Sequence, residues 1–178
     1  MLDRPLLPRE GRVPPTPGIG RRLFDDVTVQ ADLVALALCL ETQPLPDVRS
    51  PRQSGVYGLR YRGRHVAYTG LRGHEPIYVG KAVYLPERLS SHHRSLSEAV
   101  DLDPGDFLVW IIATASLLHA EVGERLLVGA FDPLWNRVGW RGFGSRPQGG
   151  GRAGQRPTEW DRRHPGRSDR TQSAGSLG

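Results

Sequence analysis

The sequence contains two short segments rich in strand-forming residues, Gly55-Val56-Tyr57-Gly58-Leu59-Arg60-Tyr61-Arg62 and Pro76-Ile77-Tyr78-Val79-Gly80. Valine, isoleucine and tyrosine favour extended backbone, and glycine and proline punctuate the ends of such segments. Gly70 and Gly73 mark the connection between the two segments. The pattern therefore predicts two consecutive strands, each carrying a tyrosine.

One helix is expected before these strands in the sequence and another after them. The first runs from the N-cap pair Asp25-Asp26 to Glu41 and stops before Pro44, with Cys39 buried in it. The second begins near Pro86 and runs to about Ala99, since proline is favoured in the first turn of a helix. Its predicted apolar stripe consists of Leu89, His93, Leu96 and Val100.

Another strand and another helix follow. Residues 106–113 are an almost continuous apolar run of strand length, which predicts a central strand covered on both faces. A helix is expected from Ser116 to Phe131, because Asp132-Pro133 would end it.

The composition excludes several classes of protein. The chain has 178 residues and one cysteine, so it cannot form an internal disulfide or a disulfide-stapled secreted domain. Its longest apolar stretch, residues 33–40, is far shorter than the roughly 20 residues that cross a bilayer. We expect one domain, soluble and cytoplasmic, with no membrane partner.

The net charge of +5 is concentrated in separate blocks. Residues 49–81 and the Gly/Arg-rich tail are strongly basic, a distribution that favours a polyanion partner, although solvated loops of an arginine-rich protein would look similar. Residues 1–22 are expected to form a flexible arm, and residues 142–178 a second arm that contacts DNA. The candidate nucleic-acid contacts are Arg60, Arg62, Arg141, Arg152 and Arg167.

The order of the polar residues is more specific than any single motif. Gly55-Val56-Tyr57 is followed by Tyr78-Val79-Gly80 with Lys81, and then by Arg88, His92, Glu124 and Asn136. In this order and spacing the chain resembles the GIY-YIG nuclease superfamily. Histidine at position 92, the string from Pro76 to Val83 and the tail residues Trp160-Asp161 and His164-Pro165-Gly166-Arg167 resemble its type II restriction endonuclease branch that cuts CCGCGG.

The resemblance implies an α+β fold, a small antiparallel sheet flanked by helices, with the nuclease core over residues 23–141. It implies hydrolysis of double-stranded DNA at a GC-rich palindrome with Mg²⁺ as cofactor. A palindromic site further implies a symmetric homodimer with one active site for each strand. A cognate DNA methyltransferase is the expected genetic partner.

A tyrosine can act as general base only if its ionisation is assisted, because a phenol with a pKa of about 10 is only about 0.1% ionised at pH 7. Tyr57 is the predicted base, with Tyr78, Lys81 and His92 tuning it, although the residues leave open which tyrosine has this role. Lys81 is the only lysine among 24 basic residues, which suggests that arginine is unsuitable at this position.

Arg88 and His92 are four residues apart, so they project from one face of their helix and can reach a shared site. Arg88 suits a phosphate clamp because its guanidinium bonds two oxygens and keeps its charge. His93 lies in the predicted apolar stripe and is expected to pack there. His92 is therefore the functional candidate.

Glu121 and Glu124 are the alternatives for a metal ligand. Glu121 has Arg125 at i+4, an ordinary solvent pair, whereas Glu124 has apolar residues at i+3 and i+7 and no such partner. A carboxylate beside an apolar face is costly unless a cation compensates it, which favours Glu124 as the Mg²⁺ ligand. Asn136 is expected to cap the site through hydrogen bonds.

Two other functions compete with a restriction enzyme. A repair or homing nuclease of the same superfamily usually carries separate DNA-binding domains, for which 178 residues leave no room. A non-catalytic basic DNA-binding protein on the same fold is disfavoured because every polar residue of the set is present.

Overall fold

The computed structural model describes residues 26–71, 73–144 and 157–166. The four α-helices of this part are α1 (Asp26–Cys39), α2 (Leu85–Glu98), α3 (Leu117–Phe131) and α4 (Glu159–Arg163). Its four strands are β1 (Gln43–Pro44), β2 (Gly55–Tyr61), β3 (Tyr78–Ala82) and β4 (Phe107–Ala113). The predicted arm 1–22, Asp25, Arg152 and Arg167 lie outside the described residues.

The strands form one antiparallel sheet in the order β1-β4-β2-β3. Tyr57 on β2 lies opposite Gly80 on β3 and Ile111 on β4. The predicted α+β class, a small antiparallel sheet flanked by helices, is confirmed. The predicted central position of the strand at residues 106–113 is also confirmed, since β4 lies between β1 and β2.

Side chains alternate between the two faces of the sheet and build two cores. Tyr57, Leu59 and Phe107 belong to the core under α2, whereas Val56 and Trp110 belong to the core under α1 and α3. This alternation follows from the two-residue period of a strand. It decides which helix each functional side chain can meet.

Two expectations about the first helix and second strand need correction. Cys39 is exposed, because α1 packs through Ala37 and the residue two positions later points away from the sheet. The second strand begins at Tyr78 rather than Pro76 and continues to Ala82. Pro76 has no N–H to donate, and the Ile77 N–H reaches the Leu59 carbonyl at 2.7 Å just outside the regular strand.

The buried stripe of α2 also differs from the predicted one. Leu89 and Leu96 are buried as expected, but His92 is buried and His93 is only half-buried. Leu85, Leu89, His92 and Leu96 follow the spacing that keeps one helix face on a core. Val100 is 81% exposed because the helix ends at Glu98 and the backbone of Ala99 is extended.

Residues 157–166 pack against the part of the chain that forms the sheet and helices α1 to α3. Trp160 is completely buried. Thr158 caps α4 through a reciprocal pair of hydrogen bonds with Asp161. The described part of the tail is thus a folded segment. None of the described helices is long and apolar enough to span a membrane.

Candidate active site

The pairing of Tyr57 on β2 with Gly80 on β3 makes room for the two tyrosine rings. Tyr57 and Gly80 are direct cross-strand partners, and the Tyr57 hydroxyl lies across the backbone of Gly80. A Cβ atom on residue 80 would be 2.6 Å from the Tyr57 Oη and 2.8 Å from the Tyr78 Cε1. Glycine is therefore required here for space, so that both phenol rings can lie on the same face.

The Tyr57 hydroxyl is the centre of a buried hydrogen-bond network. Arg88 Nε donates to Tyr57 Oη at 3.1 Å, and Tyr57 Oη lies 2.5 Å from His92 Nε2. The guanidinium can only donate, so the Tyr57 hydroxyl accepts from Arg88, and the direction of the Tyr57–His92 bond follows the tautomer of His92. The network thus joins Tyr57, Arg88 and His92, three of the residues selected in the sequence.

The environment of the tyrosines favours their neutral forms. Burial raises the pKa of Tyr57 well above its ordinary value, the neighbouring Tyr78 adds to this effect, and the Arg88 guanidinium opposes it. Burial likewise raises the pKa of Tyr78, again opposed by Arg88. A free phenolate is therefore scarce at neutral pH, and His92 Nε2 lies within hydrogen-bond distance of the Tyr57 hydroxyl.

Residues beyond α3 contact the same site. Arg88 Nη2 donates to the Gly144 carbonyl at 2.8 Å. The Phe143 ring stacks on the His92 imidazole, with a centroid separation of 4.5 Å and an interplanar angle of 12°. Positions 142–144 were expected to begin a DNA-contacting arm, whereas the structure places Phe143 and Gly144 against the network.

Lys81 lies on the opposite face of the sheet from Tyr57. It follows Gly80 on β3 and pairs with Val56, so its side chain points toward α3. Its Nζ is 3.2 Å from Glu121 Oε1 and 3.3 Å from Glu124 Oε2. Lys81 was expected to tune the tyrosine, but its ammonium pairs with these carboxylates.

The pKa of Lys81 reflects this pairing. Desolvation lowers it, but the hydrogen bonds and charges of Glu121 and Glu124 outweigh that effect, so the pKa is raised overall. The expectation that Glu121 would form an ordinary pair and Glu124 none is wrong, because both share Lys81.

Glu124 has the surroundings of a cation ligand. Its Oε1 accepts from the Lys81 backbone N–H at 3.1 Å, so the carboxylate is fixed to β3 as well as to α3. With Glu121 and Lys81 it borders an open depression of about 390 Å³. The two carboxylates already hold one cationic group in common, and oxygen ligands beside open solvent suit Mg²⁺.

Asn136 fastens the free edge of β3. Its Oδ1 accepts from the Val79 N–H at 2.9 Å, and its Nδ2 donates to the Val79 carbonyl at 2.8 Å. Trp135 N–H adds a bond to the Ile77 carbonyl at 2.9 Å. The amide thus takes the place of a neighbouring strand and holds the segment that carries Tyr78.

The described arginines from the predicted DNA contacts have different surroundings. Arg60 Nη2 donates to the Ala37 carbonyl at the end of α1 at 3.1 Å, which gives this side chain a structural contact. Arg62 is exposed and donates to the Gly105 carbonyl through Nε and Nη2. Arg141 is exposed.

A second polar cluster contains His65, Asp101 and His164, whose ligand atoms lie within 4.8 Å of one another, close enough to hold a metal ion. The hydrogen bonds indicate a different use. His65 Nδ1 accepts from the Ala67 N–H at 3.2 Å, so its proton is on Nε2 and is donated to Asp101 at 3.1 Å.

His164 has the complementary arrangement. Tyr68 Oη accepts from Trp135 Nε1 at 3.1 Å and donates to His164 Nε2 in a short hydrogen bond, so Nδ1 donates to Asp101 at 2.9 Å. Both histidine nitrogens that face Asp101 therefore carry protons, and a metal ion would have to displace both. We conclude that this cluster fastens residues 157–166 to the core.

Sequence reasoning missed Phe143, Gly144 and the pairing of Glu121 with Lys81. One local signal for the first two was available, because an aromatic residue lies between Gly142 and Gly144 in an otherwise polar tail. The face of Lys81 could also have been read from the strand period, since Tyr78 and Gly80 share one face and Lys81 lies on the other.

Comparison with known proteins shows which family the chain belongs to. The family described as the Eco29kI GIY-YIG domain matches residues 84–176, slightly more than half of the chain. The N-terminal GIY-YIG endonuclease domain of UvrC from Thermotoga maritima, bound to magnesium, is similar with 22% identity and a TM-score of 0.36, covering 60% of this chain and 97% of that one. A point mutant of that domain matches at 22% identity with a TM-score of 0.35, covering 58% and 93%. No curated protein sequence matches. The family match covers more than half of the chain, and on this ground the chain belongs to the Eco29kI GIY-YIG domain family, a group of GIY-YIG nucleases.

Proposed function

We propose that this protein is a Mg²⁺-dependent type II restriction endonuclease that hydrolyses phosphodiester bonds in double-stranded DNA. The observation that carries the proposal is the Tyr57 hydroxyl, which accepts from Arg88 Nε and faces His92 Nε2 at 2.5 Å. This arrangement combines a fixed positive charge, a hydroxyl and a proton acceptor. Phosphodiester hydrolysis requires those elements around the attacked phosphorus.

Proton transfer is the task we assign to Tyr57 and His92. As general base, Tyr57 takes the proton of the attacking water while its own proton passes to His92 Nε2. This shared transfer avoids a free phenolate, which burial makes unfavourable. The rate of a step coupled in this way should depend weakly on pH between about 7 and 9. Tyr78 shapes the same pocket from β3.

Arg88 is the proposed phosphate clamp. Its Nε and one Nη2 hydrogen are engaged by Tyr57 and Gly144, Tyr78 takes a further hydrogen bond, and a guanidinium has five N–H donors in total. The remaining donors and the full positive charge can meet phosphoryl oxygens. The charge matters most as the pentacovalent transition state gains negative charge.

Glu124 is the proposed ligand of Mg²⁺, with Glu121 beside it and Lys81 holding both carboxylates in the absence of the ion. The ion supplies Lewis-acid stabilisation of charge on the phosphate. Lys81 and Asn136 fix β3 between the two faces. They thereby fix the position of Glu124 relative to Tyr57.

DNA recognition follows from the restriction branch. We propose a GC-rich palindromic target, of the CCGCGG type implied by the sequence resemblance, cut by a homodimer in the cytoplasm. A DNA methyltransferase that protects the same sequence is the expected genetic partner. Arg62 and Arg141 are the described candidates for backbone contacts, because both are exposed.

The test is cleavage of supercoiled plasmids with and without CCGCGG sites, in the presence of Mg²⁺ or EDTA. Discrete linear fragments that need both Mg²⁺ and the site support the proposal, and an R88A variant should yield none. Random nicking would favour the repair or homing alternative. DNA binding without cleavage at any Mg²⁺ concentration would favour the non-catalytic alternative.

A further inference from the structure

We propose that Phe143 and Gly144 are positioning residues of the active site, holding His92 and Arg88 in their working orientations. The proposal rests on the function proposed above. It assigns a role in the reaction to residues 142–144, which contain none of the polar residues of the motif.

Phe143 lies between the network and the tryptophan core. It is 1% exposed, and its ring is stacked on the buried His92 imidazole. On its other sides it contacts Tyr78, Trp135 and Trp160, with ring centroids 5.2, 4.5 and 5.2 Å away. The packed core therefore fixes the phenyl ring, and the ring restricts the orientation of the His92 imidazole.

The orientation of that plane matters for chemistry. His92 can accept the Tyr57 proton only while Nε2 faces the hydroxyl, as it does at 2.5 Å. Rotation of the imidazole within its ring plane is restricted by hydrogen bonds, whereas tilting out of the plane is restricted by the stacked ring. Loss of the ring would leave space for tilting, and small misplacements of catalytic groups can cost up to about a hundredfold in rate.

Gly144 acts on Arg88 through its backbone. Its carbonyl accepts from Nη2 at 2.8 Å, which, together with the bond from Nε to Tyr57, fixes the plane of the guanidinium. A Cβ atom at this position would be 2.4 Å from the Tyr78 Oη and 2.9 Å from Arg88 Nη2. The residue is therefore glycine because the backbone must approach both side chains closely.

The segment is itself held from behind by residues 157–166. Trp160 N–H donates to the Arg141 carbonyl at 3.2 Å. Gly142 has a φ of +126°, and a Cβ there would be 2.0 Å from Thr158 Oγ1. These contacts give α4 a function as a buttress, because they determine where Phe143 and Gly144 can lie.

The experiment compares matched pairs of variants. F143L removes the stacked ring, and F131L makes the same change at a partly buried phenylalanine that packs against the core on the other face of the sheet. G144A adds the methyl group that collides with Tyr78 and Arg88, whereas G139A adds it where no atom lies within 4 Å. Single-turnover cleavage at saturating enzyme and Mg²⁺, DNA affinity without Mg²⁺ and melting temperature are measured for each.

We expect F143L and G144A to cleave at least tenfold more slowly than wild type, with DNA affinity within threefold. F131L and G139A should cleave within about threefold of wild type, even if F131L melts as low as F143L. The log rate of F143L should also rise with pH between 7 and 9, because ionisation of Tyr57 is no longer coupled to a well-placed acceptor. Equal rates for F143L and F131L, or a G144A variant faster than wild type, would overturn the proposal.

A second readout does not depend on cleavage. Long-range ¹⁵N spectra of the histidines, with His92 identified from H92Q, should show an unprotonated Nε2 in wild type and a mixture of tautomers in F143L. An unchanged His92 spectrum in F143L would contradict the positioning role. If wild type fails to cleave DNA but the spectra change as expected, the proposed function fails while the packing role of Phe143 stands.

Discussion

Replacement of Tyr57 by phenylalanine tests the centre of the proposed mechanism. The substitution keeps the ring and removes the hydroxyl, so Arg88 Nε and His92 Nε2 lose their common partner. A buried group left without its hydrogen bond costs about 1–3 kcal/mol. For a protein of this size that corresponds to a fall in melting temperature of about 2–12 °C.

The effect on cleavage should be much larger than the effect on stability. General acid–base catalysis by a positioned side chain contributes about 10²–10⁴ in rate. We therefore expect single-turnover cleavage by Y57F to fall by at least about a hundredfold at pH 7.5, with DNA binding nearly unchanged. Because Arg88 keeps its bond to the Gly144 carbonyl, the phosphate clamp should remain in place.

Tyr61 provides the matched control on the same strand and face. It is also buried, and its hydroxyl accepts from the His65 N–H at 2.8 Å. Y61F should therefore lose comparable stability and keep its cleavage rate. If Y57F cleaves within threefold of Y61F, the assignment of Tyr57 is wrong; if Y78F alone is inactive, the base is Tyr78.

Three other perturbations separate the remaining roles. E124Q should abolish Mg²⁺-dependent cleavage and leave DNA binding measurable. E121Q loses only a half-exposed ion pair with Lys81, worth about 0–1 kcal/mol, and should retain at least a tenth of the cleavage rate. The reverse result would mean that Glu121 is the metal ligand. Burial lowers the pKa of His164 below its ordinary 6.5, so the unfolded chain binds more protons than the folded chain below about pH 6.5, and stability should fall as the pH drops through that range. Melting curves from pH 7.5 to 5 check this. An equal fall in melting temperature in H164Q would refute the assignment to His164. DNA affinity should fall steeply as the salt concentration rises, and R141Q should reduce the slope of log K against log salt by about 1. R60Q should leave the slope unchanged, because the Arg60 guanidinium donates to a helix carbonyl. Equal slopes for the two variants would contradict the DNA contact of Arg141.

The sequence by itself predicted strands β2, β3 and β4 and helices α1, α2 and α3, and it selected Tyr57, Arg88 and His92, which the structure brings together. The strands around Tyr57 and Tyr78 were predictable because β-branched and aromatic residues alternate between glycines over a short range. The α2 face that brings Arg88 and His92 together was predictable from the helical period. These signals are local, so they do not depend on which distant segments meet.

Tertiary structure alone decided how distant segments complete the site. Glu121 and Glu124 share Lys81 only because α3 packs on the face of the sheet opposite α2, and no local pattern states that choice. The same holds for Phe143, whose position against His92 depends on how the segment after α3 returns to α2 and is buttressed by Trp160. Contacts of this kind depend on the volume and shape of the space between the helices and strands after they have packed together. Composition predicted a Gly/Arg-rich arm that contacts DNA over residues 142–178, and in the described part of that region Phe143 and Trp160 are buried against Trp135 and His92 or His164.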